Sequence, residues 1–160
     1  MKSYHILNCD HQQKIADSLY GYYVAITGDQ TPTEFWNRLS RRQVKDYFAI
    51  PNNPTKQWFD SLGLKVRDMS YTIFSDSIKT GIHKDEPPVV AKVNFPVLNT
   101  KDTYNVWFDD GMNEIDRVEC DRPIVLRSDI LHTVEIGEAA VLPRIQFSFC
   151  FYDEPLQLLK

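Results

Sequence analysis

The sequence predicts an α+β fold, with N-terminal helices followed by a jelly roll, or double-stranded β-helix, of short strands. Three observations carry this reading. Apolar residues recur at helical spacing through the first part of the chain and then switch to alternation. The alternating stretches are short and bounded by turn residues such as Asp109-Asp110-Gly111. The 160 residues, 42% hydrophobic and 25% charged, suit one globular domain with a sizeable core. The expected organisation is a single domain over residues 1–160, with a mainly helical flank at 1–63 and a jelly-roll core at 64–153.

The helical signals come in order. Asp10 with Gln13 reads as a capping box, and Ile15, Leu19, Tyr22, Tyr23 and Ile26 share one helical stripe that Gly28-Asp29 stops. Thr31, Pro32 and Glu34 form a second start, with Phe35, Trp36 and Leu39 as its apolar face. Ser40 with Gln43 opens a short helix carrying Val44, Tyr47 and Phe48, which Pro51 ends. Asn53-Pro54 starts another, with Trp58, Phe59 and Leu62 inside and Gly63 as its C-terminal cap. Trp36, Tyr47, Phe48 and Trp58 are assigned to the packing between helices and sheet.

Strands follow. Residues 64–74 are rich in β-formers. In 89–97, Val89, Ala91, Val93, Phe95 and Val97 take one face, with Lys92 and Asn94 on the other. Residues 104–108, 115–120, 124–127 and 132–136 read as further short strands. Residues 144–151 alternate most cleanly: Ile145, Phe147, Phe149 and Phe151 oppose Arg144, Gln146, Ser148 and Cys150.

Composition excludes several functions. A net charge of −4 argues against a general nucleic-acid or anionic-membrane binder. The one small basic cluster, Arg41-Arg42 with Lys45, reads as a solvated helix face. No stretch reaches the length of a membrane span, and the N-terminus lacks a signal-peptide apolar core. Cys9, Cys120 and Cys150 are odd in number and lack a scaffold spacing, which suits reduced thiols and a cytoplasmic protein. No cysteine lies near His83 or His132 in sequence, so a zinc finger is not expected.

The candidate site begins at His83-Lys84-Asp85. Residues two apart on an extended strand project to one side, so His83 and Asp85 can face one point. His132 adds a third ligand from a distant strand. Two imidazoles and a carboxylate make the facial triad of non-haem Fe(II) oxygenases, which leaves coordination positions open. Arg144 stands on the polar face of the last strand, where an inward-pointing guanidinium needs an anion. His5 and His11 have no matching partners and are assigned to surface or terminal packing.

The His83-Lys84-Asp85 pair, the run from Asp121 through Arg122 and Pro123 to His132, and the later Arg144 resemble the Fe(II)/2-oxoglutarate-dependent dioxygenase superfamily. The likeness is to its small, prolyl-hydroxylase-like members and covers residues 69–151. It implies Fe(II) held by His83, Asp85 and His132, with 2-oxoglutarate and O2 as co-substrates. Arg144 would grip the distal carboxylate through two parallel hydrogen bonds. The implied reaction is hydroxylation of an unactivated C–H, with decarboxylation of 2-oxoglutarate to succinate. Related halogenases lack the carboxylate that Asp85 supplies, which favours hydroxylation here, with desaturation and ring chemistry as the alternatives the resemblance leaves open.

Tyr71, Asn94 and Trp107 lie on strands that could face the pocket: the resemblance nominates Tyr71 as a co-substrate contact by its interval before His83, and Asn94, which interrupts an apolar strand on its polar side, is a second candidate contact. Asp76 and Lys79, before the first ligand pair, are candidates for substrate contact. Gln146 departs from the family pattern, since many members carry a Ser two positions after the Arg. The substrate is expected to be a protein side chain or a small molecule, with no nucleic-acid or membrane partner; the oligomeric state is left open. The competing reading is a cupin-like metal-binding jelly roll, either a binding or sensor module or a dioxygenase needing no 2-oxoglutarate. Such a protein has no use for Arg144 as a clamp.

Overall fold

The computed structural model describes residues 2–28, 36–75 and 81–160. Among these, three α-helices run over Gln12–Thr27 (α1), Arg41–Phe48 (α2) and Pro54–Ser61 (α3). Nine strands run over Tyr4–Ile6 (β1), Trp36–Arg38 (β2), Val66–Phe74 (β3), Ala91–Leu98 (β4), Thr103–Phe108 (β5), Glu114–Glu119 (β6), Ile124–Arg127 (β7), His132–Ile136 (β8) and Arg144–Phe151 (β9). They form two antiparallel sheets, one ordered β1-β7-β4-β9-β3-β2 and the other β6-β5-β8. The architecture is α+β, as expected.

The helix boundaries test the capping signals one by one. Ser40 accepts from the Gln43 amide while the Gln43 side chain accepts from the Ser40 amide, a complete capping box. Asn53 accepts from the amides of Thr55 and Lys56, with Pro54 in the first turn. Gly28 and Gly63 end their helices with φ of 62° and 70°, a region that disfavours a Cβ. The expected Asp10 cap does not form. The residue before α1 is His11, without a side-chain cap, and the Gln13 amide turns along the helix to Asp17. The expected helix carrying Trp36 and Leu39 is corrected as well: Trp36–Arg38 is an edge strand paired with β3, and Leu39 donates its amide to the Met69 carbonyl. The proposed start at Thr31, Pro32, Thr33 and Glu34, with Phe35, lies outside the described residues, as do Asp29, Asp76, Lys79 and Thr80.

The flank at 1–63 therefore adds two edge strands to the larger sheet as well as all three helices. Strand alternation explains the layering. Met69, Tyr71 and Ile73 of β3, Val93 and Phe95 of β4, and Phe147 and Phe149 of β9 face the helices. They pack with Ile15 and Leu19 of α1, Tyr47 of α2 and Phe59 of α3 in the main core. Tyr47 is fully buried, and its hydroxyl is shared with Ser18 (3.0 Å) and Thr55 (2.7 Å), so its polar end is satisfied. Arg41, Arg42 and Lys45 are exposed, as a solvated helix face requires.

A smaller core lies elsewhere: Trp107, Ile124 and Leu126 are buried together, with Tyr4 and Ile6 against them. Trp107 stacks on Tyr4 at 5.4 Å and donates its indole N–H to the Arg127 carbonyl. Among the described residues no helix is long and apolar enough to cross a membrane. The three cysteines are free thiols.

Candidate metal centre

The inward face of the larger sheet carries a polar stretch over β2, β3, β9 and β4. Register places Arg38, Ser70, Ser148 and Asn94 in one row across β2, β3, β9 and β4, with Trp36, Thr72 and Gln146 in the next. These residues line a cavity of about 710 Å³ that also takes in His83, Asp85 and His132.

The two histidines are held by the same device. His83 and His132 pair as an antiparallel bridge with two backbone hydrogen bonds of 3.0 and 2.8 Å. Each Nδ1 lies against the carbonyl two residues earlier, Gly81 at 2.9 Å and Ile130 at 2.7 Å. A carbonyl can only accept, so each Nδ1 carries the proton and each Nε2 keeps its lone pair. Both Nε2 atoms face one oxygen of Asp85, Oδ1, at 3.7 and 3.6 Å. One ligand atom from each of the three residues lies within 4.8 Å of the others. Three electron-rich atoms converging on one point repel unless a cation or a shared proton sits among them. The donor set, two neutral imidazoles and a carboxylate, fits a divalent transition metal such as Fe(II).

Asp85 is anchored at both ends. Its amide donates to the Ser128 carbonyl at 2.8 Å, and its Oδ2 accepts from Lys92 Nζ at 2.7 Å. Burial alone would raise its pKa; the Lys92 ammonium and its hydrogen bond pull the other way and hold the carboxyl below the usual carboxylate range. His83 is half exposed and His132 buried, so the site opens to solvent on the His83 side.

Arg144 is fully buried. Its guanidinium donates to Thr103 Oγ1 (3.4 Å), Thr72 Oγ1 (3.3 Å) and Gln146 Oε1 (2.7 Å), and lies 5.3 Å from the Phe74 ring centre. Among the described residues all its hydrogen-bond partners are neutral oxygens. Thr72, Phe74 and Gln146 all line the cavity, so the charge stands directly behind that wall. A buried cation of this kind fits an anionic ligand.

The other nominated residues divide. Asn94 lines the cavity and accepts from Ser148 Oγ at 2.7 Å. Tyr71 does not reach it and is corrected: it shares the parity of Met69 and Ile73, packs edge-on to Tyr23 at 5.1 Å, and accepts from Asn37 Nδ2 at 3.2 Å. Trp107 is corrected in the same way, since it fills the smaller core. Trp36, assigned to packing, is 48% exposed at the cavity edge. Sequence reasoning missed Lys92, Thr72 and Gln146 as site residues. Strand parity was the signal that could have found them, because each shares a face with Asn94 or Arg144.

No family model matches the chain, and no curated protein matches it. Solved structures do match. A prolyl-4-hydroxylase from Pseudomonas putida is similar with a TM-score of 0.58 at 10% identity, over 93% of this chain and 91% of that one. The non-haem α-ketoglutarate-dependent epimerase SnoN from nogalamycin biosynthesis gives 0.59 at 10% identity, over 94% and 78%. AviO1 from Streptomyces viridochromogenes Tue57 gives 0.53 at 8% identity, over 94% and 88%. The chain thus shares its fold with these structures, a prolyl-4-hydroxylase and a non-haem α-ketoglutarate-dependent epimerase among them.

Proposed function

We propose that this chain is an Fe(II)- and 2-oxoglutarate-dependent dioxygenase, a single jelly-roll domain over residues 1–160 that hydroxylates an unactivated C–H. The observation that carries the reading is the pairing of two features at one cavity. Three metal-ligand atoms converge there, and a buried guanidinium without an acidic partner among the described residues stands behind its wall.

His83, Asp85 and His132 would hold Fe(II) on one side, leaving the remaining positions for 2-oxoglutarate and O2. Iron held there with these co-substrates would supply the oxidising power for C–H cleavage, 2-oxoglutarate being decarboxylated to succinate and CO2. The chain's own residues bind and orient. Gly81 and Ile130 carbonyls fix the two imidazole tautomers. Arg144 offers charge-assisted hydrogen bonds to the distal carboxylate, and Thr72, Thr103 and Gln146 hold the guanidinium in place. Asn94 and Ser148 present a polar patch on the same wall. The substrate, a protein side chain or a small molecule, would enter past Trp36 and His83, the exposed edge of the cavity.

Thermal unfolding with Mn(II) tests the reading. A 2-oxoglutarate concentration a hundredfold above Kd should stabilise the metal-loaded protein by about 2.7 kcal/mol. Succinate release against peptide and metabolite pools is the matching turnover assay. A melting curve that 2-oxoglutarate leaves unmoved, with no succinate formed, would overturn the proposal. Metal binding retained under that outcome would point to the cupin-like alternative.

A further inference from the structure

We propose that Lys92 is a positioning residue that holds Asp85 as a one-oxygen ligand; this rests on the metal-site reading above. A carboxylate beside a metal has two ways to bind. One oxygen leaves the other positions open, whereas both oxygens occupy an additional position. The choice matters at a site that must keep room for co-substrates.

The two Asp85 oxygens have distinct surroundings. Oδ1 faces both Nε2 atoms, at 3.7 and 3.6 Å. Oδ2 is taken by the Lys92 ammonium at 2.7 Å. Lys92 stands on β4, an interior strand flanked by β7 and β9, with residue 92 opposite Leu126. Asp85 belongs to a segment outside the named strands, tied to the sheets by its amide bond to Ser128 and by the His83–His132 bridge. A side chain from the rigid strand therefore fixes the rotation of one from the less regular segment. Both side chains are largely withdrawn from solvent, 17% and 22% exposed, so water competes weakly for the pair. Rotation of the carboxylate to present both oxygens inward would break this bond.

The test counts water on bound Mn(II), by oxygen-17 line broadening in EPR together with solvent proton relaxation, and measures Mn(II) affinity alongside. Wild-type protein with three protein donor atoms should retain about three exchangeable waters on an octahedral ion. Lys92→Met keeps most of the side-chain volume and removes the hydrogen bond. It should lose about one water, or bind Mn(II) at least about tenfold more weakly, the range typical of lost outer contacts to a metal ligand. Lys92→Arg should restore the wild-type values. Circular dichroism and melting curves establish that each variant is folded. An unchanged water count in Lys92→Met with equal or tighter Mn(II) binding would overturn the inference, because the lysine would then act only as a nearby charge. Failure of wild-type protein to bind Mn(II) at all is a separate outcome and would overturn the metal-site reading itself.

Discussion

The two faces of the six-stranded sheet are built from the same strands and do opposite work. On the helix side, Val93, Phe95, Phe147 and Phe149 are fully buried among aromatic and aliphatic neighbours. On the cavity side, the intervening residues are Lys92, Asn94, Gln146 and Ser148, bonded to one another, to Asp85 or to Arg144. One step along a strand moves a side chain from a layer that stabilises the fold to a layer that can bind ligands. Substitutions one residue apart should therefore give different phenotypes.

The largest stability effect belongs to the helix face. Phe149→Ala should cost about 3–5 kcal/mol through lost burial and the cavity left behind. Calorimetry should show Tm falling by on the order of 10 °C, with ligand binding retained below the transition. The cavity face should respond in reverse. Arg144→Met removes a buried charge that has no acidic partner among the described residues, so ligand-free Tm should hold or rise. The stabilisation by 2-oxoglutarate, about 2.7 kcal/mol in metal-loaded wild-type protein at a hundredfold excess over Kd, should vanish, and with it the ligand-dependent rise in Tm. A ligand-dependent rise that survives in Arg144→Met would remove the arginine from the binding site.

The smallest effect sharpens the parity argument. Tyr71→Phe deletes the hydroxyl that accepts from Asn37 and should cost about 1 kcal/mol of stability. Titration calorimetry should show unchanged 2-oxoglutarate affinity, because the ring lies on the helix face. A tenfold or larger loss of affinity would place Tyr71 in the site after all.

Legibility in the sequence follows how local each cause is. The caps at Ser40 and Asn53 were readable because donor and acceptor sit within three residues of each other. β9 was readable because a strand with an apolar core on one face and a polar cavity on the other must alternate, and β9 does. β2 was not, since a three-residue edge strand reading Trp-Asn-Arg is too short to show a period. Tyr71 was placed by its interval from His83, although its parity with Met69 and Ile73 already pointed it toward the helices. The triad could be read as a set of ligand types at a suggestive spacing. Parity puts Lys92 on the Asn94 face, but its bond to Asp85 could not be read from its own neighbours, because that partner reaches it across the turn between Asp85 and β4.

The bridge between His83 and His132 has a consequence for how the segment before β4 behaves. Both imidazoles stand on residues whose peptide groups are bonded directly to each other. An ion gripping both rings would clamp that peptide pair from the side-chain direction, as a rivet clamps two plates. Amide deuterium uptake at positions 83 and 132 should accordingly slow in concert when Mn(II) is added, while the amides of α2 keep their original pace.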